Sequence, residues 1–590
     1  MKVMMDTYPA SHMTNRIDAD TLQPKHRSQQ VVNECMAALK ADENDFSIWL
    51  KMSDTLLKQR DPAFYPLSLA CCEKSLQLHA GNPKAFIKKG TILKKLGRQE
   101  EAIAAVERAL DLAPNLPAAR FTLLDILCPV LYEKEEDIAS SRTAYARQLG
   151  KLDESVELCS QDTIDRAAQA VGIYPFHLGY QGCNDKDLQR RYGELVCRIQ
   201  AARYPQWSIP VLPPPHAVDE PLRVGFVSGF FHYHATWKVL TRGWLLALDK
   251  KRFALYGYYT GDRPDACTGI ARQAFTRFVE NDFSLGSLCR KILADKLHVL
   301  IFPEIGMNSL TMRLSALRLA PVQCASWGHS TTSGLPTMDY FLSNDLMEPA
   351  DGDGHYTETL VRLPNLGIHY SPLDIEAMPH RTLPGLKKDV VRYLCIQSLF
   401  KYLPQYDDIF PRIAQKTGDC QFLFITDRMS KPVTNIFRRR LKTAFSEYGM
   451  NSEDYAVFLP KLDDDAYFSL HRQGDVFLDS IGWSGCNTTL EAIACNLPVV
   501  TLPGSLMRGR QTMGILKMMG MTATIADSVD RYVEIAAKLG TDCSWRKQIR
   551  EQVAANKYKL YADNKCIEAF EAFLEKAVAD ARQHWSRQTI

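Results

Sequence analysis

The segment Asp479-Ser480-Ile481-Gly482-Trp483-Ser484-Gly485-Cys486-Asn487-Thr488-Thr489-Leu490-Glu491-Ala492 carries the residue types needed to hold a phosphate-bearing ligand. It follows the apolar run 475–478 and opens a helical pattern. Glycines at 482 and 485 let the backbone approach a ligand closely. Gly485, Asn487, Thr488 and Thr489 would then present donors at a helix N-terminus, where the dipole favours an anion. Glu491 lies one turn into that helix and is placed to accept hydrogen bonds from ribose hydroxyls. The same residue types also make an ordinary capped helix, so the reading needs support from other segments.

Two such segments exist. Gln397-Ser398-Leu399-Phe400-Lys401 follows the apolar run 390–396, and a lysine at a strand end can neutralise a leaving diphosphate. His232-Tyr233-His234-Ala235-Thr236 follows the run 222–227, and a histidine there can act as a base or orient an acceptor. His329, in Trp327-Gly328-His329-Ser330, follows a further run, 323–327, and is expected to face the same cleft. The carboxylate groups at Asp351–Asp353 and Asp463–Asp465 lie in polar stretches and read as solvated loops, so no metal site is expected.

These loops need a frame that presents them together. Short apolar runs alternate with helical stretches from Pro221 onward, in two consecutive sets, which predicts two doubly wound parallel α/β domains divided within 372–389. Open sheets of this kind bind ligands at the carboxyl ends of their strands. Ahead of them lies a proline-rich stretch, 209–215, which marks a boundary. Between Pro83 and Leu116, residues Phe86, Gly90, Leu93, Gly97, Ala102, Ala109 and Pro114 have the spacing of a TPR helix pair. Degenerate copies begin near Trp49, with an insertion around Asp61–Pro66, and after Pro117. The expected segments are a polar tail (1–28), TPR-like helices (29–150), a helical linker (151–220), the two α/β domains (221–380 and 381–545) and C-terminal helices (546–590).

Bulk properties fit this plan. Hydrophobic residues make up 46% and charged residues 24%, and 71 basic residues nearly balance 68 acidic ones. That balance points away from nucleic acid as a partner. The N-terminus lacks an apolar signal core, and no apolar run reaches the ~20 residues of a membrane span. The 16 cysteines form no CxxC pair, so the chain reads as cytoplasmic with reduced thiols. The vicinal pair Cys71-Cys72 reads as simply buried.

The arrangement resembles glycosyltransferase family 41, which includes O-GlcNAc transferases, SPINDLY-type enzymes and bacterial N-glucosyltransferases. The resemblance covers about residues 220–560. It rests on six ordered motifs: Val224-Gly225-Phe226-Val227-Ser228 with His234; Leu319-Ala320-Pro321-Val322-Gln323 leading to Trp327-Gly328-His329 and Met338-Asp339-Tyr340; Tyr356-Thr357-Glu358 with Leu360-Val361-Arg362-Leu363-Pro364; Leu399-Phe400-Lys401; Gly485 to Glu491; and Pro498-Val499-Val500-Thr501-Leu502-Pro503-Gly504. It implies a GT-B unit of two Rossmann-like domains, the first on the acceptor side and the second binding the nucleotide sugar. It also implies inverting, metal-independent transfer without a cofactor. The donor is expected to be UDP-GlcNAc or UDP-Glc, and the acceptor a polypeptide held by the TPR region. In that frame His234 acts near the acceptor, and Lys401 contacts the donor diphosphate with Gln397 beside it. Gly485, Asn487, Thr488, Thr489 and Glu491 hold phosphate and ribose. Tyr467 falls near the base-stacking position. Two departures, Cys486 in place of a histidine and His329 after Gly328, lie near the donor sugar and leave its identity open. O-glycosylation of Ser or Thr is expected first. The alternatives are N-glucosylation of Asn, another sugar on a flagellin or adhesin, an epimerase, or an inactive TPR scaffold.

Overall fold

The computed structural model describes residues 22–588, apart from 60, 173, 216, 218, 219, 376, 377, 384 and 427–430. The chain divides into two compact units after Ala119.

The first unit is helical. Phe46–Lys58 packs on Tyr65–Leu78, which packs on Pro83–Lys95, which pairs with Gln99–Leu112. Ala102 and Ala109 are fully buried and Gly90 is also buried, as close crossing of a helix pair requires. Gly97 turns the chain between the two helices with φ +70, a conformation that favours glycine. Asp45 and Asn82 cap their helices through their side chains. Cys71 and Cys72 are fully buried free thiols, pushed up to about 12 and about 11 by burial.

Two expected boundaries move. A helix runs Leu22–Ala41, so it begins inside the segment read as a polar tail. Pro24 sits in its first turn, where a missing N–H costs nothing. The rest of that tail, 1–21, lies outside the described residues. The helical unit ends at 119 rather than 150. The helix Glu135–Ser155 belongs to the larger unit, where its Arg142 pairs with the buried Asp185 at 2.7 Å.

The larger unit holds two parallel sheets. The first contains β1 (Leu222–Ser228), β2 (Phe253–Tyr259), β3 (Arg277–Val279), β4 (Val299–Phe302), β5 (Val322–Ser326), β6 (Tyr340–Asn344) and β7 (Thr359–Leu363), in the order β3-β2-β1-β4-β5-β6-β7. The second contains β8 (Val391–Cys395), β9 (Cys420–Ile425), β10 (Ala456–Leu459), β11 (Val476–Leu478) and β12 (Val499–Val500), in the order β10-β9-β8-β11-β12. Chain order reverses between β1 and β4 in one sheet and between β8 and β11 in the other. Ligand crevices form at such switch points, and the loops carrying His234, Lys401 and Gly485 follow β1, β8 and β11.

Strands β3, β6 and β7 were not among the apolar runs. β3 and β7 are sheet edges with partly exposed side chains. In β6 the polar Ser343 and Asn344 are buried by bonding Glu348 and Met347. The last helix, Asn564–Gln588, returns to the first sheet, setting the Phe570 ring 4.7 Å from that of Trp244 and pairing Glu575 with Arg252 at 2.6 Å.

Candidate active site

Asp479, at the end of β11, organises the loop that follows. It is buried and accepts from Gly485 N and Ser484 Oγ (both 2.6 Å), Thr501 Oγ1 (2.7 Å) and Gln397 Nε2 (3.2 Å). Burial raises its pKa, against the pull of these donors. Gly485 makes room for the helix start: a Cβ there would lie 2.6 Å from Thr488 Oγ1 and 2.8 Å from Thr489 Oγ1, and both hydroxyls would have to shift. The helix Asn487–Ala494 starts at Cys486, which makes no side-chain cap. Asn487 Oδ1 and Thr488 Oγ1 are buried polar atoms without a protein partner. Buried polar atoms are normally satisfied, so these two suit a ligand.

Two expected ligand contacts are corrected. Thr489 is fully buried, and its hydroxyl bonds Gly485 O (3.1 Å) and Thr512 Oγ1 (2.7 Å). One residue along a helix turns the side chain by about 100°, so Thr489 faces the core while Thr488 faces the loop. Gln397 is buried and occupied on both sides, donating to Asp479 and accepting from Tyr402 OH at 2.9 Å. Both residues support the loop rather than line it.

Lys401 ends the short helical turn Leu399–Lys401 after β8, and its Nζ donates to Ser484 O at 3.2 Å. Burial lowers its pKa to about 8, against the charge of Asp479. It is therefore a cation below about pH 8 and increasingly neutral above it. Affinity for a nucleoside diphosphate is expected to fall as pH rises from about 7 to about 9.5, and this dependence should vanish in Lys401→Ala. Calorimetric titration with UDP at several pH values checks it.

Glu491 is buried and collects three donors: Asn487 Nδ2 (2.7 Å), Tyr467 OH (3.0 Å) and Lys238 Nζ (2.9 Å). Lys238 belongs to the first α/β domain, so this ion pair spans the cleft. Burial alone would lower the Lys238 pKa, but Glu491 more than offsets it and the pKa is raised. A second bridge runs from Tyr233 OH to Asp464 Oδ2 at 2.9 Å. Between them lies a cavity of about 690 Å³, lined on one side by Tyr233, His234, Ala235 and Lys238 and on the other by Lys461–Asp465. Asp463–Asp465, read as a solvated loop, thus forms a cleft wall. Asp463 and Asp465 pair with Arg381 at 3.0 and 2.7 Å. Among the described residues, no group of three His, Cys, Asp or Glu side chains is placed to hold a metal.

His234 lines this cavity, with its ring 4.3 Å from that of Phe230. The Thr236 amide donates to His234 Nδ1 at 3.2 Å. The Thr236 hydroxyl lies at the same distance, 3.2 Å, from that nitrogen. His232 instead turns back to Tyr259 OH at 3.0 Å. Under this loop the fully buried Glu304 accepts from Ser228 Oγ and Gly229 N (2.8 Å), with its carboxyl pushed up by burial to about 8.

His329 is not on the open cleft. It is 3% exposed and stacks on Phe176 at 5.0 Å, with Trp483 5.9 Å away. Its Nδ1 pairs with Thr331 Oγ1 at 3.0 Å, and its Nε2 has no protein partner. Burial lowers its pKa to about 3, so the ring is neutral. The sequence carried one signal for Lys238, a lysine four residues after His234 in an otherwise apolar turn. It carried none for Tyr180, which stacks on Trp483 at 3.9 Å.

The model of Glycosyl transferase family 41 matches residues 185–371 and 377–565, which include both sheets and every residue that faces the cavity. The chain belongs to glycosyl transferase family 41. The Solanum lycopersicum protein named "Probable UDP-N-acetylglucosamine--peptide N-acetylglucosaminyltransferase SPINDLY" is 24% identical over 387 residues, covering 63% of this chain and 39% of that protein. The "UDP-glucose:protein N-beta-glucosyltransferase" of Actinobacillus pleuropneumoniae serotype 7 (strain AP76) is 22% identical over 259 residues, covering 44% of this chain and 40% of that protein. The family-41 chain thus spans about two fifths of the length of these relatives. A mutant O-GlcNAc transferase from Thermobaculum terrenum shares its fold, with a TM-score of 0.66 at 22% identity over 95% of this chain and 99% of that one. No helix among the described residues is long and apolar enough to cross a membrane.

Proposed function

We propose that this family-41 chain is a protein glycosyltransferase that moves a sugar from a UDP-sugar, UDP-GlcNAc first, to Ser or Thr hydroxyls of a polypeptide. One observation carries the reading: Lys401 stands at the Ser484–Gly485 backbone, at the N-terminus of a helix where the Thr488 hydroxyl lacks a protein partner and can donate. That is a site for a diphosphate, a leaving group that needs charge neutralised as it departs. The acceptor oxygen attacks C1 from the face opposite the diphosphate. The new C1–O bond forms as the bond to the diphosphate breaks, which inverts the anomeric centre; the electron pair leaves with the diphosphate, and the acceptor proton passes to a base in the cleft. Lys401 and the helix N-terminus take up the developing charge without a metal. His234, on the first-domain wall of the cleft, is that base, acting directly or through a water. Glu491 and Tyr467 hold the ribose and base.

A second reading is N-glucosylation of asparagine from UDP-Glc, favoured by similarity to the Actinobacillus pleuropneumoniae protein and by His329 following Gly328. A panel of UDP-sugars, offered to the purified protein with Ser/Thr and Asn acceptor peptides and read by mass spectrometry, decides between them. Transfer is expected to persist in EDTA; loss on chelation, restored by magnesium or manganese, would show that a metal supplies the charge. Silence with every donor, in both transfer and slow hydrolysis, would leave an inactive scaffold.

The helical unit is proposed to hold the acceptor polypeptide, because stacked helix pairs offer an extended surface. A folded variant lacking residues 1–119 should lose transfer to full-length acceptor by about tenfold or more while keeping donor hydrolysis. Unchanged transfer would remove that role. The 16 free cysteines suit the reducing cytoplasm, where we place the protein.

A further inference from the structure

We infer that Tyr180 is a positioning residue for the diphosphate site, clamping the loop of Lys401 to the loop of Ser484 from outside the two α/β domains. The inference rests on the proposed role of Lys401 in donor binding. It concerns a residue ahead of the segment that matches the family model, which begins at 185.

The Tyr180 ring stacks on Trp483 with centroids 3.9 Å apart and planes at 19°, and meets Phe400 edge-on at 4.6 Å. Trp483 immediately precedes Ser484, and Phe400 immediately precedes Lys401. One ring therefore touches the neighbours of both partners in the Lys401 Nζ–Ser484 O contact. The backbones of the two loops also meet at a bridge between Tyr402 and Gly482. That bridge lies two residues after Phe400 and one residue before Trp483. It joins the loops, while the stacked rings fix the angle at which Lys401 leaves them.

The arm bearing Tyr180 is itself held firmly. Gly179 fits against Trp483, where an added Cβ would come within 3.2 Å of the indole. Gln181 is buried and accepts from Arg142 at 2.8 Å. Four residues further, the Asp185 carboxylate receives Arg142 at 2.7 Å and Arg508 at 2.8 Å, and Arg508 also donates to Cys183 O at 2.6 Å. Paired charges in such a buried site fix geometry, since removing one partner strands the other. Aromatic stacking on a fixed arm then transmits that geometry to the two loops.

The test uses the full chain, with Tyr180→Phe, Tyr180→Ala and, should Ala fail to fold, Tyr180→Leu. Affinities for UDP and for uridine are measured by calorimetry. A clamp acting on Lys401 predicts that Ala or Leu loses about tenfold in UDP affinity with uridine affinity unchanged, while Phe behaves as wild type. An unchanged ratio of UDP to uridine affinity overturns the inference, whether both affinities hold or both fall together. A second readout needs no ligand. Acetic anhydride labelling of Lys401, mapped by mass spectrometry, should show a pH midpoint near 8 in wild type and Tyr180→Phe. Tyr180→Ala should raise it by about half a unit or more as the lysine leaves its covered position. An unmoved midpoint also overturns the clamp. Wild-type protein that binds no UDP refutes the donor-site reading instead, and the labelling result then stands by itself.

Discussion

Lys401→Ala lowers kcat by about a hundredfold or more while the protein unfolds at the same denaturant concentration as wild type. The expectation comes from where the lysine sits. It ends a short turn after β8, its Nζ donates to a backbone carbonyl, and Asp479 supplies an opposing charge nearby. Truncation removes one polar contact but also the cost of holding a charge in a covered position, so stability should change little. The chemistry should change a great deal. Departure of a diphosphate concentrates negative charge on its bridging oxygen, and an ammonium held in a water-poor site stabilises that charge more in the transition state than in the bound donor. Loss of about 2.7 kcal/mol corresponds to about a hundredfold in rate. Single-turnover transfer or donor hydrolysis in purified variant and wild type measures it. Turnover near wild type would take Lys401 out of the mechanism.

The parts of the site legible in the sequence are those built from local chemistry. Apolar runs long enough to be buried strands marked β1, β8 and β11, and a loop after such a strand must emerge at a sheet's carboxyl edge. His234, Lys401 and Gly485 were located by that argument and by the glycine and threonine content of 482–489. Legibility fails where a side chain's direction is set by tertiary packing. Thr489 and Thr488 are adjacent and chemically alike, yet one bonds Thr512 in the core and the other presents an unpartnered hydroxyl. Gln397 follows a strand end as a ligand contact should, but Asp479 and Tyr402 claim both ends of its amide. His329 likewise follows a strand, but the 174–181 arm packs over it. No local pattern in Phe176-His177-Leu178-Gly179-Tyr180 announces that arm. The unit boundary at 119 differs from the expected 150 for a similar reason: tertiary contacts such as Arg142 with Asp185 tie the helix 135–155 to the larger unit, and its own periodicity does not name them.

His234→Ala and His329→Ala should separate cleanly, and in a way their similar positions after strands did not suggest. His234 lines the cavity shared by both domains, on the first-domain wall that faces Lys461–Asp465. Its removal should lower kcat by about a hundredfold, since a positioned donor or base acts on the acceptor only as the bond forms. Donor affinity should change little, because the residues proposed to hold the nucleotide lie in the second domain. His234→Gln, which keeps an N–H donor, should retain more activity than Ala if the ring orients an oxygen, and no more than Ala if it takes a proton. His329 is enclosed by Phe176, Tyr174, Tyr180 and Trp483. Its replacement by Ala leaves a void among rings and should cost about 2–4 kcal/mol in urea unfolding. The order of preference among UDP-sugars should stay the same, since a side chain selects among sugars only by touching their hydroxyls. Kinetics, donor affinity and unfolding curves for the three variants over one donor panel test both roles together. Full kcat in His234→Ala would make it a packing histidine. A changed sugar preference in a stable His329→Ala would return that ring to the donor site, reached by movement of the 174–181 arm.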